Sequence, residues 1–122
     1  MTQGLELDME VVRKVLDFSV FRMMDDDQAL KWFTEHHGMG FFHYSENLYE
    51  VWRDVVGRLN EVGFTVRIEQ GPNGALAEVI HPEGKYEMIS AAGISAPEAI
   101  SLAALELVKF YPDILKIRSV SH

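Results

Sequence analysis

Residues 64–90 constrain this chain more than any other stretch, because three runs of strand-forming residues are joined there by two turns of the same composition. In Phe64-Thr-Val-Arg-Ile-Glu-Gln70, Phe64, Val66 and Ile68 alternate with Thr65, Arg67 and Glu69, a period of two that sends alternate side chains to opposite faces of a sheet. Gly71-Pro72-Asn73-Gly74 and His81-Pro82-Glu83-Gly84 each place a proline, with φ already fixed for a turn, two residues ahead of a conformationally free glycine. Each predicts a hairpin loop. Strands Phe64 to Gln70, Ala75 to Ile80 and Lys85 to Ser90 then form an antiparallel meander with one buried and one wet face.

A sheet this small needs helices to cover it. Asp8 is placed to cap a first helix reaching to about Met24, with Met9, Val12, Leu16 and Met23 on one side and Val11, Val15 and Phe18 on another. Asp25, Asp26 and Asp27 precede a second helix, Gln28 to about His36, whose N-terminal dipole favours carboxylates. Gly38 and Gly40 interrupt it, and Met39 to Tyr44 reads as an edge strand. Ser45 starts a third helix, with Leu48, Val51, Trp52, Val55, Leu59 and Val62 on one stripe and Glu50, Arg53, Asp54, Arg58 and Glu61 opposite. Asp54 and Arg58 are spaced as an ion pair, and Gly63 suits the left-handed position that ends a helix. Ser95-Ala-Pro-Glu98 has the form of a capping box, with the Ser95 hydroxyl accepting from the first turn and Glu98 reaching back. It opens a helix, Ala99 to Phe110, apolar nearly all round and closed by Tyr111-Pro112. Asp113 to His122 reads as an edge strand or a tail crossing to another subunit.

The 122 residues suit one domain, 1–122, able to bury roughly two-thirds of its unfolded surface. The fold class expected is α+β, a mostly antiparallel three- to four-stranded sheet packed with helices, α/β/α sandwich-like.

With no cysteine, disulfides and thiolate metal sites are excluded. The N-terminus has no signal-like pattern, and no apolar run nears the ~20 residues that span a bilayer, so a soluble intracellular protein is expected. Net charge is −8, with 12 acidic against 6 basic residues through Glu61. That sign repels phosphate backbones, disfavouring nucleic acid, and suits a basic protein partner.

His36, His37 and His43, near Glu35 and the three aspartates, are the residues to consider for a metal. Adjacent helical histidines point apart, and a helix C-terminus accounts for them, so neither metal nor cofactor is expected. Ser45, Ser90 and Ser95 lack a nucleophile elbow or a recognisable base, and the glycine loops lack a lysine and a following helix. No catalytic residue is assigned. Arg53, Arg58 and Arg67 beside Tyr49 and Tyr86 would suit an anionic metabolite or nucleotide, with a solvated face as the plainer explanation. Trp32, Phe33, Phe41 and Phe42 read mostly as core, yet the loop 38–42 could equally present aromatic anchors, so Phe41 and Phe42, with Asp25, Asp26 and Asp27, are the candidate contacts for a protein partner.

The block His43-Tyr44-Ser45-Glu46-Asn47-Leu48-Tyr49-Glu50-Val51-Trp52, then Gly63-Phe64-Thr65-Val66, then Ser95-Ala96-Pro97-Glu98-Ala99-Ile100 with Ala103-Ala104-Leu105, resembles the phage ABA sandwich proteins. The resemblance covers roughly residues 32–111, leaving 1–31 and 112–122 outside it. It implies a phage or prophage origin and a sheet between helical layers, and it brings no defined catalytic residues. The expected function is therefore a non-enzymatic accessory protein in the host cytoplasm that binds a host protein, such as a component of an antiviral defence system. Sequestering a small anion is the alternative. A two-fold homodimer through Val11, Val15, Phe18, Leu102 and Leu105, with help from Ile114 to Val120, is expected because the first and last helices have more apolar surface than one small sheet can cover.

Overall fold

The computed structural model describes residues 2–36 and 42–116. In chain order these form helix α1 (Thr2–Glu10), which continues as a wider π-type stretch (Val11–Leu16), α2 (Ser19–Arg22) and α3 (Asp26–His36). Next come α4 (Leu48–Glu50), a second π-type stretch (Val51–Val56) and α5 (Gly57–Glu61), a continuous helix over 48–61. Strands β1 (Thr65–Gly71), β2 (Gly74–Ile80) and β3 (Ile89–Gly93) follow, then α6 (Ala96–Phe110) and a 3-10 turn (Ile114–Lys116). The chain is α+β, with its helices packed on a three-stranded antiparallel sheet of order β1-β2-β3.

The register sets Val66 opposite Val79 and Ile68 opposite Ala77, with Ala77 and Val79 opposite Ala91 and Ile89, so one face is apolar. On the other face Thr65, Arg67, Glu69, Ser90 and Ala92 are exposed, and Arg67 meets Glu78 across the strands at 2.8 Å. Helix α6 lies on the apolar face through Ala99, Ile100, Ala103 and Ala104, which are all fully buried. The two π-type stretches pack on α6 in turn. The layers therefore run sheet, α6, outer helices, with the helices gathered on one side of the sheet.

The first hairpin forms as its residues predict, Gly71 pairing with Gly74. The second does not: β3 starts at Ile89 rather than Lys85, and residues 81–88 form a longer loop in which the Gly84 N–H donates to the His81 carbonyl. Two forces shift the strand. Tyr86 is drawn into an aromatic group with Phe64, His81 and Tyr111, and Ala91-Ala92-Gly93 is narrow enough to pair beneath α6. A Cβ on Gly93 would lie 2.8 Å from the Ala99 nitrogen.

The helix ends depart from the expected caps at three places. Asp8 does not start a helix; it lies buried inside α1, and its Oδ1 accepts the Ser45 N–H at 2.7 Å. Ser45 is therefore a tertiary anchor, and the N-cap of α4 is Asn47, whose Oδ1 accepts from the Glu50 N–H. Ser95 makes no side-chain cap bond, and Glu98 reaches past it to accept the Ile94 N–H at 2.7 Å. Asp25 and Gln28 do form a reciprocal cap at α3. Gly63, at φ 98°, closes α5 as expected: its N–H donates to Asn60 and that of Phe64 to Leu59, the paired bonds of a Schellman motif.

Both apolar sides of the first helix are absorbed within the chain. Val11 and Val15 are 0% and 1% exposed, in a stretch that packs on α6 and the second π-type stretch, while Phe18 and Met23 beyond it are exposed. The first helix also ends early, at Leu16, because Asp17 turns left-handed at φ 53°. Of the expected edge strand, Met39–Phe41 lies outside the described residues, and Phe42 to Tyr44 is not strand. Ile114 and Leu115 are buried against their own chain in the 3-10 turn, and residues 117–120 of the expected intersubunit tail lie outside the described residues. No helix among the described residues is long and apolar enough to cross a membrane.

Candidate functional site

The helix over 48–61 is the element whose burial differs most from its sequence pattern, and the difference creates a surface. A regular helix would bury Leu48 and Trp52 with Val55 and Leu59. The π-type stretch makes its turns from five residues rather than four, so Val51 and Val56 share the inner face and Trp52 is rotated outward. Val51, Val55, Val56 and Leu59 are buried, while Leu48 is 50% exposed, Tyr49 71% and Trp52 48%.

The preceding loop fixes where this face begins. Asp8 of α1 holds the Ser45 N–H, the buried Ser101 hydroxyl of α6 donates to the Tyr44 carbonyl at 3.2 Å, and Glu50 accepts the His43 N–H at 3.1 Å. Tyr44 is thereby pinned beneath the helix, and its hydroxyl donates to Asp54 Oδ2 at 2.7 Å. Arg53 grips the same carboxylate through Nε and Nη2 at 2.7 and 2.8 Å, and its guanidinium lies 5.3 Å from the centre of the Tyr49 ring. Burial, with the bond to Asp54, drives the Tyr44 hydroxyl well above the usual range, so it stays a donor. The Arg53 bonds hold the Asp54 carboxyl below its usual range.

Beside this network two residues adopt left-handed backbone, which side chains with a Cβ rarely do: Asp17 at φ 53° and Phe42 at φ 57°. They set Phe18 against Phe42 with ring centres 5.7 Å apart. A cleft of about 430 Å³ results, walled by Phe18, Phe42, Tyr44 and Tyr49 and edged by Asn47, Glu50, Arg53 and Asp54. Aromatic walls with two carboxylates and one arginine suit an inserted side chain that is apolar along its stem and basic at its tip.

No family model, curated protein or solved structure matches the chain.

Of the residues the sequence proposed, Tyr49, Arg53, Phe18 and Phe42 meet at this cleft. The three arginines proposed for an anion are not brought together: Arg53 is here, Arg58 bonds to Glu61 and the Leu115 carbonyl at a second cleft, and Arg67 is on the open face of the sheet. Tyr86 packs with Phe64, His81 and Tyr111. Asp25 caps α3, Asp26 pairs with Arg13 at 2.7 Å, and Asp27 is exposed in the first turn of that helix; Phe41 lies outside the described residues. Leu102 and Leu105 are half-buried on α6. His36 stacks on Trp32 at 4.4 Å, His43 is half-buried, and His37 lies outside the described residues. Among the described residues no three histidine or carboxylate side chains gather as metal ligands do.

Sequence reasoning missed Leu48 and Trp52 as surface residues and Tyr44–Asp54 as a pair. One signal was available: Asn47, a strong cap residue, starts the helix two residues after Ser45, and valines spaced by five at 51 and 56 fit a widened turn.

Proposed function

We propose that this chain is a non-enzymatic accessory protein whose exposed Leu48-Tyr49-Trp52 face binds a basic segment of a host protein. The exposure of these three side chains on one helix, beside a stacked arginine, carries the reading, because tyrosine, tryptophan and arginine dominate binding energy at protein interfaces. Charge complementarity selects the occupant: Glu46, Glu50 and Asp54 lie on or next to this helix, and the half of the chain holding it has 12 acidic residues against 6 basic. The resemblance of residues 32–111 to phage proteins supports a bacterial partner in the host cytoplasm, a component of an antiviral defence system being the first to try. The acidic surface also supports the expectation of no nucleic-acid ligand.

The experiment is capture from a bacterial host lysate by the wild-type chain and by a Tyr49→Ser, Trp52→Ser double variant of unchanged melting temperature. A basic protein held by the first and lost by the second, and released by salt, is the expected outcome. An identical set on both, or none on either, contradicts the reading. The homodimer is the competing reading, now resting on Phe18, Leu102 and Leu105, since Val11 and Val15 are inside the core. A mass of twice 13.9 kDa that falls to one copy in the double variant would give the face to a second copy instead.

A further inference from the structure

A cleft of about 590 Å³ lies away from the aromatic face, and its lining runs against the charge of the rest of the molecule. Arg13, Lys14, Arg22 and Arg58 converge there, four of the chain's 11 lysines and arginines, against two carboxylates, Asp17 and Glu61, in a protein of net charge −8. Val15, Leu16, Val108, Pro112 and Leu115 supply the apolar wall.

The pairing within the cleft leaves a surplus of one sign. Arg22 closes its fork on Asp17, Nε to Oδ1 at 3.1 Å and Nη2 to Oδ2 at 3.2 Å, and Arg58 meets Glu61 at 3.0 Å, so those four charges cancel. The carboxylate partners of Arg13 and Lys14 are Asp26 and Glu10, which lie outside the cleft lining; Asp26 is 94% exposed. The lining itself therefore holds two more cations than carboxylates, with Arg13 and Lys14 paired from its edge. The guanidinium groups of Arg13 and Arg58 are also positioned in advance, each by a backbone carbonyl, Met24 for Arg13 and Leu115 for Arg58. A guanidinium has five N–H donors, and each of these two uses two in the bonds named, so both can still donate to an oxyanion. The carboxylates in these pairs, Asp26 and Glu61, are 94% and 62% exposed, so an incoming anion shares the remaining guanidinium donors without having to break a buried bridge.

From this we infer that the cleft is a binding site for a small phosphate monoester bearing an apolar group: the phosphate on Arg13, Lys14 and Arg58, the apolar portion against Leu16, Val108 and Pro112. A monoester carries close to two negative charges near neutral pH, which matches the surplus.

The test is an amide chemical-shift titration of the full chain with phenyl phosphate, with inorganic phosphate and benzyl alcohol as separate arms. Saturable shifts are expected at residues 13–17, 22, 58 and 61, with little change at Tyr49 and Trp52, and with phenyl phosphate tighter than either arm. Lys14 is exposed, so Lys14→Gln should keep the fold while weakening binding about tenfold, the usual scale of a lost charge-assisted bond; Arg13→Gln should weaken it at least as much. Shifts scattered over other lysines, unchanged affinity in Lys14→Gln, or inorganic phosphate binding as tightly as phenyl phosphate would overturn the inference. None of those results bears on the aromatic face.

Discussion

Asp54 ties the candidate face together, accepting from Tyr44 beneath the helix and from Arg53 on top of it. Its carboxyl is held below the usual range, chiefly by Arg53, so the sign of its pH dependence is fixed. The stabilisation is complete above the unfolded carboxylate value, about 4, and disappears as pH falls through the lower folded value. Asp54→Asn should therefore lower stability near neutral pH, by about 1 kcal/mol or less for a pair this exposed. The gap to wild type should close in acid, as read from urea melts at both pH values; a gap that stays constant would show that Asp54 acts by packing alone. None of this network was legible in the sequence, where Asp54 is spaced to pair with Arg58. Which nearby partner a carboxylate takes depends on helix phase, and the π-type stretch alters that phase locally.

At the scale of elements, the sequence was most readable where one residue type has one conformational reason to be present. Gly63 closed its helix as expected, the aspartates 25–27 stand at the start of α3 as expected, and the alternation of Phe64 to Glu69 placed β1 to within a residue. It was least readable where tertiary contact decides: β3 moved four residues down the chain because small side chains were needed under α6, not because the Pro82 turn was poor. Two glycine substitutions separate these cases with opposite signs. Gly93→Ala forces a methyl against the Ala99 backbone and should cost about 1–3 kcal/mol. Gly57→Ala, at helical φ −57° with open space around it, should add about 0.5–1 kcal/mol. Thermal unfolding of both variants checks the pair, and equal effects would contradict the packing of α6 on β3.

For the molecule as a whole, α+β and the meander were legible because period and turn chemistry are local, whereas the fate of the apolar surplus was not. Val11 and Val15 read as part of a subunit interface until the stacking of helices behind α6 is known; one chain then buries them, while Phe18, Leu102 and Leu105 of the same expected interface stay exposed or half-buried. Among the apolar side chains that do reach water, which also include Val20, Met23, Ile94 and Phe110, Leu48, Tyr49 and Trp52 lie together on one helix, at a widened turn in an otherwise ordinary amphipathic pattern. Trp52 is thus the residue on which the proposed function rests most directly. The decisive measurement is calorimetric affinity of the captured host protein for wild type, Trp52→Ala and a distant control, Glu83→Ala. Trp52→Ala is expected to cost at least about 2 kcal/mol, roughly thirtyfold in Kd, with the control and both melting temperatures unchanged. Equal affinities for all three would contradict the claim that this face binds.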